Sequence, residues 1–393
     1  MNNRLKILFL LISIHTYTFA SNDITNGKIN IYYATTDTRN LFNSESSFFD
    51  IYFNLHKSYE FNNLLKSNIG ISFISSLGLE NGLADNSWIS HYNNNSNQPK
   101  DIVWIDIVNL EYSIFNESSI TLGRQKLNTP LLQTETWNIA MNTFDALKIN
   151  IKEFEYFDTN IIFITRGNGN VAETVQPTNL LEAGMRGFGT QNNKSIFIIG
   201  GSSVPIKYST FDFWFYSMPN NFSAYWLEGN RNNDDLEVGF QLAQLLPKND
   251  KNVLGIGLKV NFYFDEAISV MIAYSRVQNR NSKKYNISNL AGDLYGGGNS
   301  NLYTEAFWNI GFVGREGAKS YKVESNIELR LMDIKVGIIG VDGNQNNDDL
   351  NEFYVESSME YDIFDIKLSL INSKAGSTKE NRLMAQFIIP FDV

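Results

Sequence analysis

The chain contains no cysteine in 393 residues, which excludes a disulfide scaffold, thiolate zinc sites, iron–sulfur clusters and cysteine nucleophiles. Histidine is nearly as scarce: His15, His56 and His91 are the only three, so a histidine-rich metal site is excluded as well. Basic residues are outnumbered, with 32 Lys and Arg against 42 Asp and Glu and a formal charge of −10. An acidic chain without basic clusters argues against nucleic-acid binding. Long hydrophobic runs are also missing. Past residue 20 no stretch approaches the roughly 18 consecutive apolar residues that a spanning helix needs. A mean hydropathy of −0.23 agrees, and a bundle of transmembrane helices is excluded.

What is present begins with a leader. Arg4 and Lys6 precede an almost wholly apolar stretch, Ile7 to Ile14, and Thr18-Phe19-Ala20 supplies small residues before a cut. This reads as a secretory signal peptide over residues 1–20, cleaved after Ala20. Removing it takes away Arg4 and Lys6, so the 373 residues that remain carry −10 − 2 = −12. Residues 21–393 then form a single domain.

Segments of about ten residues alternate apolar and polar with period two, the mark of strands with one greasy and one wet face. From Val253 to Phe264, Leu254, Ile256, Leu258, Val260, Phe262 and Phe264 share one face, and Gly255, Gly257, Lys259 and Asn261 the other. Tyr321 to Leu331, Phe364 to Leu370 and Phe49 to His56 behave alike, and Leu383 to Val393 alternates to the last residue. A soluble sandwich would alternate too; the connections decide. Tight turns at Asn116-Glu117, Asp265-Glu266, Met332-Asp333 and Asp362-Ile363 are set against longer polar loops at 78–100, 168–192, 277–319 and 342–350. Short turns on one side and long loops on the other describe an outer-membrane barrel with short periplasmic turns and long external loops. Two strands, a turn and a loop need roughly 41 residues, which gives about eighteen strands. A nineteenth candidate, Leu302 to Val313, is placed inside one long external loop to keep the alternation in step. The fold class is all-β: a transmembrane antiparallel β-barrel of about 18 strands.

The stretch Gly123-Arg124-Gln125-Lys126-Leu127-Asn128-Thr129-Pro130, followed by Asn142-Thr143-Phe144-Asp145-Ala146, resembles a signature of the OprD-type outer-membrane porins. Weaker matches are Trp214 to Tyr216, Leu302-Tyr303-Thr304-Glu305 with Phe307-Trp308-Asn309, and the start at Gly27. The resemblance implies that the strand ending near Lys126 runs into a loop that folds toward a pore. Where many relatives carry an Asp-Arg type pair in that loop, this chain has Gln133 to Trp137.

Arg124 and Lys126 would place fixed cations at the entry to that loop, attracting anionic groups and opposing cations. The bland role for Arg124 is to tie the loop to the wall, since its parity matches apolar Ile120 and Leu122 and only a bulge or a strand end would turn it inward. Wet-face parity further assigns Lys322, Arg330, Lys335, Lys367 and Arg382 to the pore lining, with Glu324, Glu328, Glu356 and Glu360. These charges form either opposed rings or neutral cross-strand pairs. With charges of both signs mixed on the wet faces, the expectation is a weak cation preference. Parity fails around Ile161–Arg166 and Ile196–Gly201, where both faces are apolar.

Signs of catalysis and of cofactors are missing. His56 and His91 lie near no serine nucleophile motif, the glycine runs at 187–189 and 296–298 do not lie between a strand and a helix, and the Asp234-Asp235 and Asp348-Asp349 pairs read as solvated loop tips. The expected protein is therefore a non-enzymatic porin of the cell outer membrane, passing small hydrophilic solutes and ions. Its expected surroundings are outer-membrane lipid, lipopolysaccharide and the barrel-assembly machinery, with a homotrimer as one assembly open to it. The other reading is a surface adhesin or receptor barrel whose external loops bind a partner.

Overall fold

Alternating strands can cross a lipid bilayer only if every backbone N–H and C=O finds a partner, and that condition governs this chain. Its computed structural model describes residues 24–392 apart from 38–40, 43–46, 76, 78–101, 136–138, 140, 169–184, 186–187, 189–193, 205, 279–284, 291–297 and 345–348. The expected leader, the 78–100 loop with His91, Gly296, Gly297 and Val393 lie outside these residues.

The wall runs β1 (Ile24–Thr36), β2 (Ser47–Asn62), β3 (Leu65–Ser75), β4 (Ile102–Ile114), β5 (Ser118–Gln125), β8 (Phe144–Ile151) and β9 (Phe157–Gly167). It continues through β10 (Ile196–Ser203), β11 (Ser209–Met218), β12 (Phe222–Asn232), β13 (Leu236–Pro247), β14 (Val253–Tyr263) and β15 (Ile268–Val277). The last five are β16 (Lys319–Leu329), β17 (Met332–Asp342), β18 (Leu350–Glu360), β19 (Asp365–Ala375) and β20 (Thr378–Asp392). Two short strands, β6 (Asn128–Thr129) and β7 (Leu132–Gln133), make a separate hairpin between β5 and β8.

Each wall strand pairs antiparallel with its neighbours in sequence, and β1 pairs with both β2 and β20. The 18-stranded sheet is thereby closed, with Ile29 opposite Phe53 on one side and Ile389 on the other. At this seam the Phe391 ring lies across Gly27, where a Cβ would stand 2.4 Å from it, and stacks on Phe53 at 5.9 Å.

The period-two faces fall as alternation requires. Leu258 is 55% exposed and Ile256, Phe262, Tyr321, Val323, Leu368 and Leu370 are exposed with it, forming the outer apolar band. Between them Lys259 points inward, 2.7 Å from Glu237. Connections at one end span two to five residues, from 63–64 to 361–364. The other end carries the long ones, up to residues 278–318, although the β11–β12, β13–β14 and β19–β20 links there are short as well. One turn is displaced from its expected place. Leu329 pairs with Met332, so the β16–β17 turn is Arg330-Leu331 rather than Met332-Asp333. Leu302 to Val313 forms no strand and belongs to the β15–β16 loop.

The parity assignment has a direct test. Leu258→Arg places a charge near the middle of the apolar band and is expected to cost about 2–4 kcal/mol. Lys259→Arg keeps an inward cation and is expected to change little. Urea unfolding midpoints of the lipid-embedded variants check this; equal losses would contradict the assignment.

Candidate functional site: two loops inside the barrel

The β5–β8 connection leaves the wall through a local distortion. Gly123 has φ of 123°, and a Cβ there would stand 2.3 Å from the Val108 carbonyl, so a side chain would be strained and obstructed. Beyond it the Gln125 amide donates to the Ala146 carbonyl at 3.0 Å, and Arg124 is 4% exposed. The Arg124 guanidinium donates to Asp145 at 3.0 Å and to the Ile105 carbonyl at 2.6 Å, next to the register shift that sets Asp106 apart in β4. Arg166 binds the other oxygen of Asp145 at 2.6 Å. Arg124 therefore occupies the tethering position. Lys126 is exposed, with burial of its surroundings lowering its pKa and nearby Asp106 opposing that shift.

The loop then turns into the barrel on an apolar footing. Leu127, Leu131 and Leu132 are buried in one cluster with inward Phe144, Ile162, Ile164, Ile196, Ile198, Trp214, Tyr216 and Trp226. This is why parity fails in β9 and β10: their inner face meets packed side chains, while Phe163, Phe197 and Ile199 form the exposed outer face. Tyr216 fixes the position by accepting the Leu131 N–H at 3.1 Å.

A second loop, β15–β16, enters beside the first. Leu290 N–H donates to the Leu131 carbonyl at 2.7 Å, Asn301 Nδ2 to the Pro130 carbonyl at 2.6 Å, and Asn289 Nδ2 to Glu135 at 2.6 Å. Tyr303 then reaches β12, where its hydroxyl is 2.9 Å from both Glu228 and Asn230. Burial and the Glu228 carboxylate raise the pKa of this phenol and keep it a donor.

Two buried carboxylates hold the tip. Glu305 accepts N–H groups of Ser300, Ala306 and Gly311 within its own loop, while burial raises its pKa. Glu352 of β18 accepts the backbone N–H groups of Phe307, Trp308 and Asn309 at 2.7–3.1 Å, and the Asn309 side-chain amide at 2.6 Å. Phe307 stacks on Tyr354 at 4.4 Å, and Trp308 lies against the Arg382 guanidinium at 4.1 Å.

The fold matches solved structures. No family model and no curated protein matches the chain. Among solved structures, Pseudomonas aeruginosa OccK1 (OpdK) superimposes with a TM-score of 0.75 over 96% of this chain and 100% of that one, at 11% identity. OccD3 (OpdP) of the same organism gives 0.70 over 95% and 92% at 11% identity, and Acinetobacter baumannii OccAB1 gives 0.72 over 96% and 99% at 11%. The chain has the OprD-type porin fold. Its closed 18-stranded antiparallel barrel is built like theirs.

Within that fold the charges assigned by parity divide into three groups. Lys322 lies 2.9 Å from Glu324 and donates to the Glu305 carbonyl at 3.3 Å, and Tyr354 donates to Glu324. Arg382 binds Glu380 at 2.7 Å, Lys335 stands opposite Glu356, and Glu356 accepts from Ser369. These are wall and loop supports. Glu328, Arg330 and Glu360 lie at or beside the short turns, with Arg330 in the turn itself. Lys367 and Lys126 form the third group, together with Lys28 of β1, which the sequence reading missed. Lys28 is within electrostatic reach of both. Among the described residues no ion pair joins any of the three to a carboxylate. Alternation in β1 would have found Lys28, since it shares the inner face with Asn30 and Tyr32. Alternation in β18 also puts Glu352 on the inner face with Glu356 and Glu360, but its role had no local signal, because its partners are backbone N–H groups of a distant loop.

Removing the Glu352 carboxylate is expected to free the 307–309 segment, since hydrogen bonds to a charged group are worth about 1.5–3 kcal/mol each. Glu352→Ala should make this loop cleavable by added protease while the barrel keeps its heat-modifiable gel migration. Unchanged protease resistance would contradict the clamp.

Proposed function

We propose that the protein is a passive outer-membrane channel for small hydrophilic solutes, and that it favours those carrying negative charge. The observation that supports this reading is that Lys126 and Lys367 both lie within electrostatic reach of Lys28 and that none of the three forms an ion pair among the described residues, with Asp106 opposing them only through its field on Lys126. The mixed wet-face charges gave an expectation of weak cation preference, but paired charges contribute little field to a passing ion. Glu324 is engaged by Lys322, and Glu380 by Arg382. Cations without an ion-pair partner act over about a Debye length, roughly 8 Å, and would dominate the potential where their fields overlap. One structure of the same fold, OpdK, is described with vanillate, an anion, which fits this reading.

Solutes would pass along β1–β4 and the short-turn half of β16–β20, because the loops occupy the interior along β8–β13 and the β15–β16 tip lies against the long-loop half of β16–β20. The residues act by field and by exclusion, with no bond made or broken. An adhesin reading has no comparable support; absence of any conductance after reconstitution would favour it.

Two measurements test the proposal. In a KCl gradient across a planar bilayer, the wild-type reversal potential should show anion preference. A unit charge at about 8 Å in water contributes roughly 0.5 kcal/mol, or about twofold in local ion concentration. Replacing Lys28, Lys126 and Lys367 by Gln should therefore lower the anion/cation permeability ratio several-fold. A cation-preferring wild type that is indifferent to this triple replacement would overturn the charge reading. Excising Pro130 to Asn138 should raise conductance, because it removes one loop and the support of the other; unchanged conductance would place the segment outside the path.

A further inference from the structure

On the outer face of β15 and β16 the cross-strand pairs form an ordered column. From the short-turn end they run Ile268–Ile327, Val270–Ser325, Ile272–Val323, Tyr274–Tyr321 and finally Arg276–Lys319. Ile272, Tyr274, Tyr321 and Val323 are exposed, while the alternate residues Ala273, Ser275 and Ser320 are buried toward the inner loops. Arg276 and Lys319 are exposed, so both cations point out of the barrel. They stand at the long-loop end, one step beyond a tyrosine pair. That order is apolar, then aromatic, then basic, which is the order of chemistry met on leaving hydrocarbon for the head groups.

Like charges directly opposite each other in a sheet are destabilising. Here only one is offset: Lys319 lies 3.3 Å from Asp342 of β17, which is itself 68% exposed. Arg276 forms no ion pair among the described residues, and its outer-face neighbour on β14 is apolar Ile256. The three side chains leave a net positive charge on the lipid side of the wall. An anion held between Arg276 and Lys319 would relieve their repulsion, and Arg offers a planar fork suited to phosphate.

We propose that Arg276 and Lys319 form a binding site for the phosphate of a lipid A molecule in the outer leaflet, with Tyr274 and Tyr321 packed against the upper part of its acyl chains. The site rests on the outer-membrane reading and lies on the opposite side of the wall from the solute path. It therefore fixes the height of the barrel in the membrane rather than its selectivity. The external leaflet is the relevant one because β15 and β16 are joined there by the long 278–318 connection.

Native mass spectrometry of the detergent-solubilised barrel with added lipid A tests this. Wild-type protein should retain phosphorylated lipid A, and enzymatically dephosphorylated lipid A should be retained about tenfold less, since charge-assisted bonds supply the contact. Arg276→Gln with Lys319→Gln should lose the same preference, and Arg276→Lys with Lys319→Arg should restore most of it. Single-channel conductance of all variants should stay at the wild-type value. Equal retention of the phosphorylated and dephosphorylated lipids by wild type would overturn the site without using any variant. Equal retention of phosphatidylglycerol would overturn the assignment to lipid A. A variant that loses conductance together with lipid binding would show damage to the channel, and the wild-type comparison of the two lipids then decides alone.

Discussion

Backbone hydrogen bonding in the absence of water is the constraint from which this structure follows. In hydrocarbon each unpaired peptide group costs several kcal/mol, so a chain of short alternating strands has to close. Closure is completed by β1 meeting β20 along eleven paired positions, from Asn26–Asp392 to Thr36–Arg382. Once the wall is closed, the outer face has to be apolar and the inner face becomes free to vary. The loops and most of the paired charges sit on that inner face.

The inner face is used in two different ways. Along β8–β13 it is apolar and serves as a footing for the β5–β8 and β15–β16 loops, through residues such as Ile162, Trp214 and Trp226. Along β1–β4 and β16–β20 it carries charges that act mostly on one another or on the loop tip, while Ile339, Val341, Ile371 and Met384 extend the apolar cluster there. Glu352 shows the economy of this arrangement: one carboxylate satisfies four donors of a segment without regular structure. The same low-dielectric surroundings that make an unpaired group costly make this clamp strong. Loops held so firmly can narrow a channel without sealing it.

The wall was largely legible in the sequence because lipid outside and polar groups inside impose a strict period of two. Leu254 to Phe264 and Tyr321 to Leu331 could be oriented residue by residue. Legibility ended where the interior stopped being wet: in β9 and β10 both faces are apolar, since Ile162, Ile164, Ile196 and Ile198 pack on the loop leucines. Turn position was misread by two residues at Met332-Asp333 because Arg330 and Leu331 continue the alternation. Arg124 was recognisable from its motif but its role was not, since Asp145 and the Ile105 carbonyl are brought to it only by strand pairing. Long-range hydrogen bonds such as Asn301 to Pro130 carry no local signal at all.

The central claim is that the open path follows β1–β4 and the short-turn half of β16–β20. A chain without cysteine allows this to be measured directly. Single cysteines at Ser58, Lys367 and Ser369 on the polar side, and at Ile162 and Ala224 on the packed side, can be treated with a charged, water-soluble thiol reagent during single-channel recording. Stepwise reduction of current from the first three positions, with no effect from the last two, is the expected result. Current block from Ile162 or Ala224, with Lys367 and Ser369 silent, would contradict it.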